Sequence, residues 1–199
     1  MQTVVLATRN AKKLTELRRV LDAQGIEVLG LDQVADYPEP AETETTFEGN
    51  ALLKARACTE ATGLPALADD SGLTVAVLGG MPGVRSARWA GPDATDADNL
   101  ALVLRQIADV PADRRDASFV CALALTLPDG RTAVTHGEVT GRLTMFARGE
   151  NGFGYDPIFL PDGSDRTTAE MTPAEKDAIS HRGHAIRAMV PVLADLLTR

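Results

Sequence analysis

The sequence predicts an α/β fold with a mixed central β-sheet flanked by helices, arranged as two lobes around a cleft. Strand-like and helix-like segments intermix along the chain without strict alternation, which favours a mixed sheet over a plain Rossmann domain. With 199 residues, the chain has the size of one domain, residues 1–199. A hydrophobic fraction of 44% is sufficient for a substantial core.

The first third of the chain predicts two strands and two helices. Residues 3–8 form a short apolar run typical of a buried strand. Asn10 is the predicted cap of a helix over residues 11–24 that Gly25 ends, and residues 27–31 form a second strand. Thr45 and Glu48 have the spacing of a capping box and open a helix to residue 62, which Gly63 ends.

The rest of the chain predicts further strands and helices. Residues 65–69 and 73–78 are predicted strands separated by a turn at 70–72, and a helix follows over 95–107. Residues 118–127 and 132–139 form a predicted hairpin. Thr172 and Pro173 open a helix, and Ser180 caps another helix that Pro191 should kink or restart.

Composition excludes several classes of function. The net charge of −8 and the pI of about 4.9 argue against a nucleic-acid-binding surface, which needs clustered Lys and Arg. Cys58 and Cys121 lack metal-binding spacing and are expected to be reduced and buried. Because neither a signal peptide nor a membrane-spanning apolar run is evident, we expect a cytoplasmic protein with no membrane partner.

The residues after the first strand form a candidate anion site. Amide groups at a helix start carry partial positive charge and bind phosphates. A bound anion would also offset the unfavourable position of two lysines in the first turn. Two solvated surface lysines are the alternative, and the spacing of a Walker loop is absent. The segment comprises Thr8, Arg9, Asn10, Ala11, Lys12 and Lys13.

Asp69 and Asp70 follow an apolar run and form a candidate metal or catalytic site. Neighbouring strand residues point to opposite faces, so only one of the two should enter a given site. Mg²⁺ needs one or two carboxylates besides phosphate oxygens. Glu42 or Glu44 of the preceding acidic loop, residues 37–46, can supply the second. The alternative is a simple turn, because Asp, Ser and Gly all favour turns.

Two later segments are candidates for ligand binding. A glycine-rich stretch, residues 149–157, holds Phe153 and Tyr155, whose rings can stack on a purine or fill the core instead. Lys176 can reach a phosphate, and His181 and Arg182 can donate hydrogen bonds to a carbonyl such as the O6 of a 6-oxopurine. Solvated basic residues are the alternative for that second segment.

Together these segments resemble one family, the inosine/xanthosine triphosphate pyrophosphatases, over essentially the whole chain. The matching segments are residues 8–13, residues 46–47 with 50–55, residues 68–73, residues 79–83, residues 86–88, residues 152–157, and Lys176 with residues 180–183. The resemblance implies that sheet and helices flank a nucleotide cleft. It also implies hydrolysis of non-standard purine nucleoside triphosphates (ITP, dITP and XTP) to the monophosphate and pyrophosphate.

The resemblance also implies roles for individual residues. Asp70 would be the catalytic base and a Mg²⁺ ligand, with Glu42 as a second ligand. Residues 8–13 and Lys54 would hold the triphosphate, and Ser71 would contact the substrate. Phe153, Gly154, Tyr155 and Asp156 would line the nucleoside pocket, and Lys176, His181 and Arg182 would complete binding. A homodimer is expected on the same ground.

One position departs from the family pattern, and two rival functions remain open. The family usually has a glutamate directly before Asn50, where this chain has Gly49; Glu48 lies one residue earlier but points about 100° away on a helix. A pyrophosphatase for methylated or pyrimidine triphosphates is the nearer rival, although His181 and Arg182 suit a 6-oxopurine. A nucleotide-sensing module without turnover is the rival from another class.

Overall fold

The computed structural model describes residues 3–22 and 26–198, except the side chains of the last two. The strands are β1 (Thr3–Leu6), β2 (Glu27–Leu29), β3 (Ala66–Val75), β4 (Asp116–Thr126), β5 (Thr132–Leu143) and β6 (Phe159–Pro161). The α-helices are α1 (Ala11–Asp22), α2 (Phe47–Thr62), α3 (Asp96–Gln106), α4 (Pro173–Ile179) and α5 (His181–Thr198).

The six strands form one mixed sheet in the order β2-β1-β3-β4-β5-β6. β1 pairs in parallel with both β2 and β3, whereas β5 and β6 are antiparallel. The predicted mixed sheet with flanking helices is therefore confirmed.

The chain divides into two compact units, and the boundaries fall inside β3, β4 and β5. Unit 1 comprises residues 1–70, 121–137 and 182–199, and unit 2 comprises residues 71–120 and 138–181. The candidate site residues are thus divided between the two units.

In unit 1, alternation along the strands gives the sheet two different apolar faces. Val4, Leu6 and Leu67 pack in one cluster with residues of α1 and α5, because side chains two apart share a face. The intervening strand residues pack in a second cluster against α2, and many of them are alanines, as are their partners Ala51 and Ala55. Two polar residues that are neighbours along a strand therefore lie on opposite faces of the sheet.

In unit 2, aromatic and branched residues form a third cluster. It joins β3, α3 and β4 to the segment before β6 and includes Phe119, Tyr155 and Phe159. Arg115 is almost fully buried beside it and donates hydrogen bonds to the carbonyl oxygens of Ile107 (2.9 Å), Val110 (2.9 Å) and Thr144 (3.2 Å). These bonds satisfy a buried charged group and carbonyls near the end of α3.

Most predicted elements are confirmed with small shifts at their ends. Asn10 caps α1 as predicted, since its Oδ1 accepts hydrogen bonds from the amides of Lys12 (3.0 Å) and Lys13 (3.2 Å). The predicted helix end at residue 24 and stop at Gly25 lie outside the described residues. The predicted helix near 95–107, the hairpin of β4 and β5, and the helix opened by Thr172 and Pro173 are all present.

Four details of the prediction were wrong. The first two strands are shorter than predicted, and β2 ends at Leu29. The cap of α2 is Thr46 rather than Thr45, because Thr46 keeps extended dihedral angles and its hydroxyl accepts from the Gly49 amide at 3.1 Å. Of the two outcomes predicted for Pro191, the restart is wrong, because α5 continues through Pro191, and the kink stays a prediction. The fourth error concerns β3 and bears on the site.

Residues 70–72 do not form a turn; they lie within the ten-residue strand β3. Gly72 allows a close approach there, because a Cβ at Gly72 would lie 2.5 Å from the Gly83 carbonyl oxygen and closer still to Ser86 Oγ. Ser86 Oγ accepts a hydrogen bond from the Leu73 amide at 2.9 Å. A tertiary contact with the segment that follows thus replaces the predicted local turn.

Within residues 3–22 and 26–198, no helix combines the length and apolar character that crossing a membrane requires.

Candidate active site

The alternation of β3 sends two consecutive aspartates to opposite sides of the sheet in unit 1. Asp69 follows the register of Leu67, on the face of α1 and α5, and Asp70 follows that of Ala66 and Ala68, on the face of α2. This agrees with the expectation that only one aspartate enters a given site. Both are almost fully buried, at 2% and 5% exposure.

Asp69 joins two cations from different helices. Its Oδ2 lies 3.0 Å from Lys13 Nζ at the start of α1 and 3.3 Å from Arg182 Nε at the start of α5. Arg182 Nη1 in turn lies 2.8 Å from Glu16 Oε2, one turn after Lys13. The resulting network holds Lys13 and Arg182 in place near the N-terminal ends of α1 and α5.

The charge of Asp69 is strongly stabilised. Burial raises the pKa of this carboxyl group, but Lys13, Arg182 and Lys54 outweigh burial and hold the pKa well below its usual range. Asp69 is therefore an anion at any ordinary pH, which suits a residue that positions cations rather than one that exchanges protons.

Asp70 lies among residues of α2 and the acidic loop. Its Oδ2 accepts a hydrogen bond from Asn50 Nδ2 at 3.2 Å, and its Oδ1 lies 3.4 Å from Lys54 Nζ. Lys54 Nζ also lies 2.9 Å from Glu42 Oε1. Asn50 and Lys54 are four residues apart, so one face of α2 presents both to Asp70.

The pKa shifts of this second group differ from that of Asp69. Burial, with further contributions from Glu42 and Asp69, raises the pKa of Asp70 despite the opposing charge of Lys54. Burial lowers the pKa of Lys54, but Asp70, Asp69 and Glu42 outweigh burial and the pKa is raised overall. Asp70 is thus the carboxylate whose affinity for a proton is increased, as a general base requires.

The predicted anion-binding segment is only partly arranged for a ligand. The amides of Lys12 and Lys13 donate to Asn10 Oδ1, and Thr8 Oγ1 accepts from the Asn10 amide at 3.3 Å. Ala11 starts the helix and is exposed, as is Lys12. Lys13 is the member of this segment that the structure brings to Asp69.

Arg9 instead contacts the acidic loop. Its Nη2 donates to the Tyr37 carbonyl at 2.7 Å and lies 3.4 Å from Asp36 Oδ1, and its Nε lies 3.5 Å from Glu39 Oε2. In this arrangement Arg9 holds the loop that carries Glu42 against the end of β1.

In unit 2, Asp156 organises the glycine-rich segment. Its Oδ2 accepts from the Phe153 amide at 2.8 Å and from Lys176 Nζ at 2.6 Å, and its Oδ1 accepts from Thr168 Oγ1 at 2.8 Å. Lys176 Nζ also lies 5.0 Å from the centre of the Phe153 ring, within range of a cation–π interaction. Gly152 has a positive φ of 75°, and any Cβ there would clash with the Asp156 carboxylate.

Of the remaining candidates in unit 2, Tyr155 is largely a core residue. Its ring packs in the unit 2 cluster, and its hydroxyl donates to the Ser86 carbonyl at 2.8 Å. The Gly154 amide donates to Asp96 Oδ2 at 3.0 Å. Ser71 is half-buried in β3.

His181 is buried and stacks on Phe119, with ring centres 4.9 Å apart and planes inclined by 10°. Phe119 therefore fixes the plane of the imidazole ring.

The sequence predicted no role for Asn50, Glu16, Phe119 or Thr168, and for Asp69 it predicted only that one of the two aspartates enters the site. Helical spacing from Lys54 can predict Asn50, and spacing from Lys13 can predict Glu16. Phe119 and Thr168 reach their partners only through tertiary packing, for which the local sequence carries no signal.

The donor chemistry of Glu42 and Asp70 fits Mg²⁺. Carboxylate oxygens are its preferred protein ligands, and one or two are typical when phosphates supply others. Within the described part of the chain, no cluster of three or more His, Cys, Asp or Glu residues is placed to hold a metal. Two carboxylates already share one cation here, the Lys54 ammonium.

The model of the Ham1 family matches residues 4–192 of the chain.

The chain belongs to the Ham1 family.

Several relatives of this Ham1 family member cover its full length. A protein named dITP/XTP pyrophosphatase from Frankia alni is 59% identical over 200 residues, with 98% of each chain covered. A protein of the same name from Nocardia farcinica is 55% identical over 202 residues, covering 100% of this chain and 98% of the relative.

Solved structures agree with the fold. A HAM1 protein from Coxiella burnetii has a TM-score of 0.87 at 43% identity, covering 98% of this chain and 100% of the other. A protein named nucleoside-triphosphatase, dITP/XTP pyrophosphatase, from Mycobacterium abscessus has a TM-score of 0.78 at 52% identity, covering 96% and 100%. The resemblance inferred from the motifs is confirmed at the level of the family and the fold.

Proposed function

We propose that this Ham1 family member is a Mg²⁺-dependent nucleoside triphosphate pyrophosphatase. Its substrates would be the non-standard purine nucleotides ITP, dITP and XTP, and its products the nucleoside monophosphate and pyrophosphate. The names of the full-length relatives support the activity and substrate class. The observation that carries the chemistry is Asp70, a buried carboxylate with a raised pKa held by Asn50 and Lys54.

Hydrolysis of a triphosphate mainly requires neutralisation of charge and a positioned water. Asp70 would orient the water and accept its proton, and the bond from Asn50 keeps one carboxylate oxygen in place. Lys13, aligned by Asp69, and Lys54 would bind phosphate oxygens. Each of these residues lies in unit 1.

Glu42 and Asp70 would hold Mg²⁺. The bound ion would supply charge neutralisation on the phosphates. The chain itself supplies the oxygen donors and the buried surroundings, where electrostatic interactions are stronger than in water.

Residues of unit 2 are the proposed determinants of base and nucleoside binding. Phe153 offers a ring face for stacking, and Lys176 and Asp156 fix the segment that carries it. The His181 ring, which stacks on Phe119, can donate a hydrogen bond to the O6 of a purine. Adenine has an amino group at that position, and two facing donors are unfavourable.

The assignment of Arg182 to the base comes from the family resemblance. In this structure its guanidinium contacts Asp69 and Glu16 of unit 1. These contacts use Nε and Nη1, and a guanidinium carries five N–H donors, so both are compatible with a further hydrogen bond to the base. The other contribution of Arg182, the alignment of Asp69 with Lys13, needs no rearrangement.

We further propose a cytoplasmic homodimer that binds no nucleic acid. The acidic net charge of −8 supports the absence of nucleic acid binding. The dimer rests on the resemblance to the family, and the compartment stays the expectation drawn from the sequence.

Steady-state hydrolysis of ITP, XTP, GTP, ATP and dTTP with Mg²⁺, scoring pyrophosphate separately from orthophosphate, tests this proposal. We expect pyrophosphate, released fastest from ITP and XTP. Equal rates for dTTP would favour the rival pyrophosphatase for other altered nucleotides and remove the purine assignment. Binding without any product would favour the nucleotide-sensing module.

The test of the base pocket is the substitution His181→Ala. We expect base preference to relax more than phosphate binding weakens. An equal loss across all five triphosphates would contradict a role of His181 in base selection.

A further inference from the structure

The ammonium group of Lys54 lies between the two carboxylates proposed to hold the metal. Its Nζ is 2.9 Å from Glu42 Oε1 and 3.4 Å from Asp70 Oδ1. The side chain is 8% exposed, so this cation is almost withdrawn from solvent. The two carboxylates thus share one buried cation of the chain itself.

The surroundings hold Lys54 in that place. Asn50 Oδ1 accepts from the Glu44 amide at 3.0 Å while its Nδ2 bonds to Asp70, so the acidic loop is fastened to the same helix turn that presents Lys54. Asp69 adds a third nearby negative charge, already compensated by Lys13 and Arg182. Without Lys54, Glu42 and Asp70 would lose the ammonium group that both of them contact.

A divalent cation and an ammonium ion repel each other strongly at contact distance in a buried site. A metal that binds Glu42 and Asp70 must therefore displace the Lys54 ammonium. Displacement is favourable only if another anion receives that group, and the phosphate oxygens of a triphosphate are such anions.

We propose that Lys54 occupies the cation position between Glu42 and Asp70 in the nucleotide-free protein, so that the metal binds there only together with a triphosphate. This inference rests on the proposed function, which places a divalent cation at these two carboxylates. On nucleotide binding, Lys54 exchanges the carboxylates for phosphate oxygens and the metal takes its place. The free protein is thereby kept from binding metal ions unproductively.

A purely structural ion pair makes a different prediction. In that case the loss of Lys54 lowers the stability of the fold and leaves the affinity for metal unchanged or weaker. The two alternatives are therefore distinguished by metal binding in the absence of nucleotide, without reference to turnover.

The experiment measures Mn²⁺ binding by electron paramagnetic resonance at fixed neutral pH. The intact chain is compared with the variants Lys54→Met and Lys54→Arg, all without nucleotide. We expect weak binding by the unsubstituted chain and by Lys54→Arg, which keeps the charge. We expect binding at least about tenfold tighter in Lys54→Met, because the competing charge is gone.

Two further variants control this comparison. Adding Glu42→Gln to Lys54→Met should abolish the gain, because it removes one of the two carboxylates. Lys176→Met removes another buried Lys–Asp pair, in unit 2, and should leave Mn²⁺ affinity as in the unsubstituted chain. Thermal unfolding verifies that each variant folds; if Lys54→Met does not, Lys54→Gln, which keeps a hydrogen-bond donor, replaces it.

A folded neutral variant that binds Mn²⁺ no tighter than the unsubstituted chain overturns the inference. So does a Lys54→Arg protein that binds as tightly as Lys54→Met, since charge would then not be the cause. If the unsubstituted chain releases pyrophosphate but Lys54→Met binds Mn²⁺ with unchanged affinity, this inference is overturned and the proposed function stands. Failure to release pyrophosphate from any triphosphate removes the proposed function, which the Mn²⁺ comparison does not measure.

Discussion

At the scale of single residues, Asp69 and Asp70 show how position in a strand decides chemistry. They are consecutive and both buried, yet cations hold the pKa of Asp69 low, and burial beside Glu42 raises that of Asp70. The sequence predicted that the two would face different ways, because strand residues alternate. It did not predict which partners each would meet, since those come from helices distant along the chain.

The substitution Asp69→Asn should weaken the fold in a pH-dependent way. At neutral pH we expect a loss of about 3–5 kcal/mol, because Lys13 and Arg182 both lose the negative charge of Asp69, although Arg182 still contacts Glu16. The folded-state pKa of Asp69 lies below the ordinary value, so its contribution is complete above about pH 4 and is lost as the pH falls further. Urea unfolding at several pH values between about 7 and 2.5 measures this.

The unsubstituted chain and Asp69→Asn should therefore converge in stability under acid conditions. A stability difference that stays constant from neutral pH down to the most acid sample would contradict the role given to the Asp69 charge.

Asn50 is a positioning residue for Asp70, and Asn50→Ala tests that role. We expect kcat to fall about tenfold with little change in KM, because Asn50 contacts Asp70 but is not assigned to the substrate. Loss of a donor to the ionised carboxylate also raises its pKa, so the acid limb of the kcat profile should move to higher pH. A rise in KM alone, with an unmoved pH profile, would show that Asn50 has another role.

At the scale of elements, the helices were predicted well because their caps are local. Asn10, Gly63 and Thr172 act within one turn of the helices they bound. β3 was predicted poorly because Asp70, Ser71 and Gly72 favour a turn but lie in the strand. Ser86, thirteen residues after Leu73, accepts a hydrogen bond from the Leu73 amide and packs against Gly72. Local propensity lost there to a tertiary hydrogen bond and to close packing.

At Gly49, where the family usually has a glutamate, the first turn of α2 leaves little space for a side chain. A Cβ at Gly49 would lie 2.7 Å from Glu44 Cβ and 3.1 Å from Thr46 Oγ1. Glu44 thus fills the space that a larger residue at position 49 would need. Glu48 lies instead beside His136, with Oε2 and Nε2 3.3 Å apart.

A Gly→Ala substitution in an unobstructed helix stabilises the folded protein by about 0.5–1 kcal/mol. Gly49→Ala tests whether that gain is obtained in α2. Here we expect no gain or a loss, because Glu44 must move. In a Glu44→Gly background the obstruction is removed, so Gly49→Ala should recover its ordinary gain. Chemical denaturation of the four proteins measures the coupling, and equal effects in both backgrounds would contradict the crowding.

At the scale of the whole molecule, composition and motif order determined the class and the family. The mixed sheet and the family membership were predicted and confirmed. The proposed site was only partly predictable. Helical spacing relates Asn50 to Lys54. The sequence of β3, however, does not predict that α1 and α5 bring Lys13 and Arg182 to Asp69. Contacts between segments this far apart in the chain depend on the completed fold.

The acidic character of the whole chain leads to a simple binding prediction. With a net charge of −8, the protein should not bind duplex DNA at physiological salt, because non-specific binding requires clustered positive charge. Fluorescence anisotropy of a labelled duplex at about 150 mM salt measures this. Saturable binding that weakens with added salt would contradict the expectation.

The most direct test of the central claim is product analysis for ITP hydrolysis by the unsubstituted chain and by Asp70→Asn. We predict equimolar IMP and pyrophosphate from the former. In the folded variant we predict a turnover at least about 100-fold lower, the usual contribution of a general base. Production of IDP and orthophosphate, or near-normal turnover by Asp70→Asn, would contradict the account.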